Sequence, residues 1–109
     1  MSAPMPSGVA ICAVSEVAEG QRKLVFVEGR SVVVFRIEGQ WRAIENSCPH
    51  NGASLAGGRL DGAVLSCPAH GLRFDLRTGR AVGGGHLCLG LLPTQVIDGQ
   101  LVLTNVAAE

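Results

Sequence analysis

Three runs of β-branched and aromatic residues constrain the fold of this chain more than any other feature. They span residues 22–29, 31–39 and 40–46, and each of the first two ends in a Glu-Gly pair. β-branched and aromatic residues favour extended strands, and acidic–glycine pairs between such runs are typical of tight turns. The sequence therefore predicts three successive strands in this part of the chain.

Strand patterns also occupy both ends of the chain. Residues 9–14 form a short β-like run, and residues 93–106 indicate a strand, a turn at Asp98-Gly99 and a second strand. No stretch has sustained helical periodicity or capping, apart from a possible turn near residues 15–19. We expect an all-β protein, and a chain of 109 residues fits one domain.

The composition of the sequence changes between residues 46 and 85, where glycine and proline become frequent. Two short strand-like runs occur there, at residues 63–67 and 72–76, with a further turn expected at Thr78-Gly79. A hairpin made from these two runs would carry the loop between them back beside the loop that follows residue 46. We expect a small glycine-rich subdomain inserted in the strand framework.

Charge and apolar patterning exclude several classes of protein. Nine basic and nine acidic residues balance, and no basic run is present, which disfavours a nucleic-acid or anionic-membrane binder. The first residues have no basic segment followed by an unbroken apolar stretch, and no segment has the length of a bilayer-spanning helix. We expect a soluble cytoplasmic protein, whose four cysteines are metal ligands or buried thiols rather than disulfides.

Two pairs of cysteine and histidine stand out in the glycine-rich region. Cys48 precedes His50 by two positions, and Cys67 precedes His70 by three. Two thiols and two imidazoles form a complete ligand set for a soft or borderline metal. A tetrahedral zinc site is one possibility, although zinc fingers usually place both cysteines before both histidines. One ligand of each type in each loop suits a binuclear centre.

The remaining candidates carry weaker signals. Cys12 and Cys88 have apolar neighbours and are predicted to be small buried residues, and His86, after the glycines at 83–85, is predicted to be a solvated loop residue. The region from 48 to 85 has a local excess of two positive charges, which is either an ordinary solvated surface or a docking face for an acidic partner. These charges are Arg59, Arg73, Arg77 and Arg80 against Asp61 and Asp75.

The two loops, Cys48-Pro49-His50 and Cys67-Pro68-Ala69-His70-Gly71, resemble the signature of Rieske iron–sulfur proteins, and the likeness extends through residues 51–79. The resemblance implies a Rieske-type antiparallel β-sandwich or barrel with a small inserted cluster-binding subdomain. It implies one [2Fe–2S] cluster, with Cys48 and Cys67 on one iron and His50 and His70 on the other.

This resemblance also implies a domain plan: a flexible tail at 1–7 and one Rieske domain at 8–109, with the cluster-binding subdomain at about 46–85.

The resemblance further implies a function. A chain of this kind would be a soluble one-electron carrier that receives electrons from a ferredoxin reductase. It would pass them in transient contacts to a terminal oxygenase of the ring-hydroxylating dioxygenase type. It would be a component of an enzyme system and not an enzyme itself, with no nucleic-acid or membrane partner. The alternatives are a small Rieske subunit of a larger reductase, such as assimilatory nitrite reductase, and a zinc-stabilised structural module.

Overall fold

A computed structural model of the protein describes residues 9–27, 29–49, 52–68, 71–83 and 85–104. The predicted tail at 1–7 lies outside these ranges. Ten strands and one short 3-10 turn, Val14–Glu16, form the described chain. The strands are β1 (Val9–Ala13), β2 (Arg22–Val27), β3 (Arg30–Ile37), β4 (Gln40–Glu45), β5 (Arg59–Asp61), β6 (Val64–Ser66), β7 (Arg73–Asp75), β8 (Leu91–Leu92), β9 (Thr94–Ile97) and β10 (Gln100–Leu103).

The strands form three antiparallel sheets. Sheet A has the order β1-β10-β9, sheet B the order β2-β3-β4-β8, and sheet C the order β5-β6-β7. The three successive strands predicted from the sequence are β2, β3 and β4, paired in consecutive hairpins. At the β3–β4 turn, Glu38 and Gly39 have φ values of 54° and 70°. Two positive φ values in a row match the hairpin turn whose twist suits the flanking strands.

Strand β3 lies in the middle of the molecule and is buried on both faces. Val32 and Val34 pack in one apolar cluster with Leu101 and Leu103 of sheet A. Val33 and Phe35 pack in a second cluster that includes side chains of sheet C. A strand with a continuous apolar run is typical of burial on two sides. Sheet B therefore forms a central layer between sheets A and C.

Sheet C lies within the connection between β4 and β8. Its hairpin β6–β7 pairs Leu65 with Phe74, and both side chains are fully buried. This hairpin was predicted from the runs at 63–67 and 72–76. Strands β5 and β8 were not predicted as strands, because they have three and two residues and contain no β-branched residue.

The connection before sheet C is packed tightly at Gly58. A Cβ atom at this position would collide with the Ser66 carbonyl oxygen and would lie 3.1 Å from Leu65 Cδ1. The neighbouring Gly57 has no atom within 4 Å of its ideal Cβ position. The close approach at Gly58 brings the start of β5 against the end of β6.

We expect Gly58→Ala to lower the free energy of unfolding by about 1–3 kcal/mol, the usual cost of overpacking a filled site. Urea unfolding followed by circular dichroism would measure this change. Gly57→Ala is the matched control, with an expected change within about 0.5 kcal/mol. Equal effects of the two substitutions would contradict the packing assigned to Gly58.

Candidate metal centre

Each of the two loops that contain the predicted ligands is closed by two backbone hydrogen bonds, and the pattern of these bonds is the same in both loops. In the first loop, the Cys48 amide donates to the Ala53 carbonyl at 2.8 Å, and the Gly52 amide donates to the Cys48 carbonyl at 2.7 Å. In the second loop, the Cys67 amide donates to the Leu72 carbonyl at 2.7 Å, and the Gly71 amide donates to the Cys67 carbonyl at 2.8 Å. Each loop therefore begins at a cysteine and closes five residues later.

Glycine occupies the same place in both loops, four residues after the cysteine. Gly52 has a φ of 79° and Gly71 a φ of 72°. L-residues with a side chain rarely adopt this region, whereas glycine enters it without steric cost. Both glycines are therefore required by the turn that returns each loop to its cysteine.

Both cysteines are almost completely buried, each with 1% of its surface exposed. They belong to one apolar cluster, together with Leu55, Leu65 and Phe74. The structure thus brings the two cysteine loops into one core between sheets B and C. The predicted ligands His50 and His70 lie outside the described residues, and so does Ala69. Among the residues that are described, no group of three or more potential metal ligands converges.

Asn46 organises the first loop, although nothing in the residues around it marks it as a site residue. Its Oδ1 atom accepts hydrogen bonds from the Leu55 amide at 2.7 Å, the Ala56 amide at 3.0 Å and the Ser54 hydroxyl at 3.1 Å. Its Nδ2 atom donates to the Ser31 hydroxyl of β3 at 3.1 Å. Asparagine at the end of a strand commonly bonds to nearby backbone, but the sequence cannot show which backbone it reaches.

Arg22 makes a second attachment between sheet B and the first loop region. Its Nη1 atom donates to the carbonyls of Ala56 at 3.0 Å and Gly58 at 2.6 Å. The guanidinium also lies over the Phe35 ring, 5.2 Å from the centroid. Two charge-assisted hydrogen bonds and a cation–π contact together anchor the segment to the central sheet.

The turn after β7 confirms the expectation at Thr78-Gly79. Asp75 accepts the Arg77 amide on its side chain at 2.8 Å and the Gly79 amide on its carbonyl at 2.6 Å. The Arg77 side chain also pairs with Glu38 at 3.4 Å, which joins sheet C to the β3–β4 turn. Both partners are half exposed, so this ion pair contributes about 0–1 kcal/mol.

The two remaining cysteines differ. Cys12 is buried as predicted, and burial, helped by the nearby Glu16 carboxylate, raises the pKa of its thiol. Cys88 is exposed, so its predicted burial is wrong. An isolated bridge to Arg80 holds Cys88 in an extended segment where the next residue, Leu89, faces the core. Alternation along that segment turns Cys88 outward. His86 is exposed, as predicted.

Comparison with known proteins identifies the family. The model of the Rieske [2Fe-2S] domain matches residues 7–87, most of the chain. This chain belongs to the Rieske [2Fe-2S] family. A Rieske domain carries one [2Fe–2S] cluster, in which two histidines replace two cysteines on one iron. The described residues fit this cofactor, because they place two buried cysteines at the same position of two matching loops.

Relatives of this Rieske chain include ferredoxins. The ferredoxin component of the naphthalene 1,2-dioxygenase system of Pseudomonas putida is 39% identical over 70 residues, which covers 64% of this chain and 67% of the relative. A solved complex of reduced oxygenase and oxidized ferredoxin in carbazole 1,9a-dioxygenase contains a chain with 33% identity and a TM-score of 0.79. That match covers 93% of this chain and 96% of the solved chain.

A nitrite reductase NADPH (small subunit) oxidoreductase protein, with 20% identity and a TM-score of 0.73, is similar in fold alone. The match covers 90% of this chain and 98% of that one. No helix in the described part of the Rieske chain is long and apolar enough to span a membrane.

We expect Asn46→Ala to lower the free energy of unfolding by about 1–3 kcal/mol, because it leaves the Leu55 amide without its acceptor in a partly buried place. Urea unfolding of the purified protein would measure the loss. Ser31→Ala is the control: it removes only the partner of Nδ2, and we expect a cost of about 0.5–1.5 kcal/mol. A larger loss for Ser31→Ala than for Asn46→Ala would contradict the role assigned to the Asn46 oxygen.

Proposed function

We propose that this chain is a soluble one-electron carrier between a ferredoxin reductase and a terminal oxygenase of the ring-hydroxylating dioxygenase type. The observation that carries the proposal is the matched closure of two loops around two buried cysteines in a Rieske domain. The likeness to ferredoxin components of dioxygenase systems supports the choice of partners. The chain is then an electron-transfer component and not a catalyst in its own right.

We assign the ligands by their place in the two loops. Cys48 and Cys67 would hold one iron, and His50 and His70 the other. When bound, a cluster of this type takes up and releases single electrons at potentials between about −150 and +300 mV, well above those of plant-type ferredoxins. Neutral imidazoles in place of two thiolates lower the negative charge of the centre, which favours the added electron.

The chain's own residues give these ligands a fixed frame. Backbone hydrogen bonds close both loops, Asn46 and Arg22 attach the first loop region to sheet B, and the apolar cluster around Cys48 and Cys67 keeps water from the sulfur side. Hydrogen bonding and solvent exposure around the ligands tune the potential of such a centre. A frame already locked before electron transfer has little to rearrange during it.

We further propose one Rieske domain over residues 8–109, with the cluster-binding subdomain at about 46–85 and the tail at 1–7, in the cytoplasm. Contacts with both partners would be short-lived, because a carrier must leave after each transfer, and weak redox encounters bury little surface. The alternative of a nitrite reductase subunit is supported by fold alone. Iron and acid-labile sulfide in the purified protein would separate the carrier from a zinc-stabilised module.

Electron transfer to an oxygenase tests the function. We expect the chemically reduced protein to transfer one electron per cluster to the oxidised oxygenase component of carbazole 1,9a-dioxygenase, in stopped-flow measurements of visible absorption. Gel filtration of the mixture should show no lasting complex. Failure to reduce any of a panel of ring-hydroxylating oxygenases, or permanent co-elution with the large subunit of a reductase, would contradict the carrier assignment.

Substitution of the histidines tests the ligands. In His50→Cys and His70→Cys, an anionic thiolate replaces a neutral ring, so we expect loss of the cluster or a lower midpoint potential. The electron paramagnetic resonance spectrum of the reduced protein would move toward that of all-thiolate ligation. His86→Cys is the matched control, since His86 is exposed. We expect this substitution to leave the paramagnetic resonance spectrum and the midpoint potential unchanged. An unchanged spectrum in both loop variants would remove these histidines from the ligand set.

A further inference from the structure

The outer face of sheet C carries an ordered pattern of charge. Arg59, Ser66 and Arg73 lie directly opposite one another on β5, β6 and β7. The next row, Leu60, Leu65 and Phe74, faces the core, as alternation along a strand requires. The row of Arg59, Ser66 and Arg73, here called the arginine row, therefore lies on the side of sheet C that faces away from sheet B.

This arginine row is the row of sheet C beside the second cysteine loop. Ser66 ends β6 and immediately precedes Cys67, and Arg73 begins β7 immediately after Leu72, whose carbonyl closes the loop. One residue of an extended strand spans about 3.3 Å. The backbone of the row thus lies within one residue of both ends of the loop that contains Cys67.

The two arginines of this row are exposed, and neither guanidinium group makes an ion pair or a hydrogen bond with any described residue. By contrast, Arg77 pairs with Glu38 and Asp75, and Arg22 bonds to backbone carbonyls. Free guanidinium groups in a fixed sheet present rigid forks of donors that match carboxylates. Arg59 and Arg73 are therefore available to a ligand from outside.

A shallow cavity of about 340 Å³ lies over this face, and the residues that line it are Arg59, Asp61, Val64, Ser66 and Arg73. Adjacent strands are about 4.8 Å apart, so the backbones of Arg59 and Arg73 flank that of Ser66 at roughly 10 Å from each other. Two guanidinium groups with a hydroxyl between them suit one or two carboxylates better than a cation or an apolar side chain.

Positive and negative side chains lie at opposite ends of this face of sheet C. Asp61 and Asp75 occupy the outer row farther from the loop, opposite each other across Val64. Asp75 is engaged by Arg77, whereas Asp61 has no ion pair within the described ranges. An acidic surface would therefore be attracted at the loop end of sheet C and repelled at the other end, which fixes its orientation.

We propose that Arg59 and Arg73, with the Ser66 hydroxyl between them, form the docking site for a carboxylate-bearing surface of the redox partner protein. This inference rests on the proposed carrier function and names the chemistry of its partner. Complementary charge at such an exposed site mainly raises the rate of encounter and sets its orientation. The site holds the partner's carboxylates beside the second ligand loop.

Two small cobalt(III) oxidants test the site without a partner protein. We expect Arg59→Gln/Arg73→Gln to slow oxidation of the reduced protein by the trianion tris(oxalato)cobaltate(III) by about three- to tenfold at about 0.1 M ionic strength, the condition used for both variants. Oxidation by the trication hexaamminecobalt(III) should not slow. The control is Lys23→Glu, which changes the net charge by the same amount on the sheet A side of sheet B, next to Glu16.

The control should slow the anionic oxidant by less than about twofold at about 0.1 M ionic strength, where remote charges are largely screened. Equal slowing by the double variant and by Lys23→Glu would overturn the site, since net charge alone would then explain the rates. Equal slowing with both oxidants would also overturn it.

A binding measurement separates the docking site from the carrier function. A fluorescein-labelled hexaglutamate peptide should bind the unsubstituted protein at low salt, as seen by fluorescence anisotropy, and bind the double variant at least about threefold more weakly. Lys23→Glu should bind it more tightly than the double variant. Because this readout involves no electron transfer, it stands even if no oxygenase accepts an electron from the protein. Indistinguishable peptide binding by the unsubstituted protein and the double variant would overturn the proposal.

Discussion

Burial of β3 on both faces is the constraint on which the rest of the structure depends. Val32 and Val34 contribute to the core shared with sheet A, and Val33 and Phe35 to the core that contains Cys48 and Cys67. A single strand therefore supports the framework and the metal centre together. Since protein interiors are close-packed, a change in the position of β3 would be felt at the cysteine loops as well as at sheet A.

The site itself is built by repetition of a local device rather than by long-range convergence of many side chains. Each loop needs a cysteine, a glycine four residues later and two backbone hydrogen bonds. Asn46 and Arg22 then attach the first loop region to sheet B, and the β6–β7 hairpin presents the second loop beside it. The chemistry of the centre thus depends on a few polar contacts set in an apolar surrounding.

Much of this arrangement could be predicted from the sequence, because its determinants are local. The runs at 22–29 and 31–39, the turns at Glu38-Gly39 and Asp98-Gly99 and the β6–β7 hairpin all have signals within a few residues. Strands β5 and β8 escaped prediction because pairing with β6 and β4, and not intrinsic preference, makes them extended. The exposure of Cys88 has the same origin, since apolar neighbours in sequence do not decide which side of a segment faces the core.

The long-range contacts of the site were beyond sequence reasoning for a related reason. Arg22 donates a hydrogen bond to the carbonyl of Gly58, 36 positions away. The residues next to Arg22 in the sequence do not indicate that partner. Likewise, the sequence does not distinguish the four arginines between 48 and 85 from one another. Strand register places Arg59 and Arg73 in one row of sheet C, whereas Arg77 lies outside that row in an ion pair. The pairing of strands, and not composition, turns a scattered excess of charge into a defined surface.

The closure of the two loops has a consequence for the conditions under which the protein can work. Amides, carbonyls and the Asn46 carboxamide supply hydrogen bonds that hold the loops and attach the first of them to sheet B. None of these groups gains or loses a proton near neutrality. A change of a unit or two in the pH of the surroundings therefore leaves these hydrogen bonds between the loops and sheet B intact.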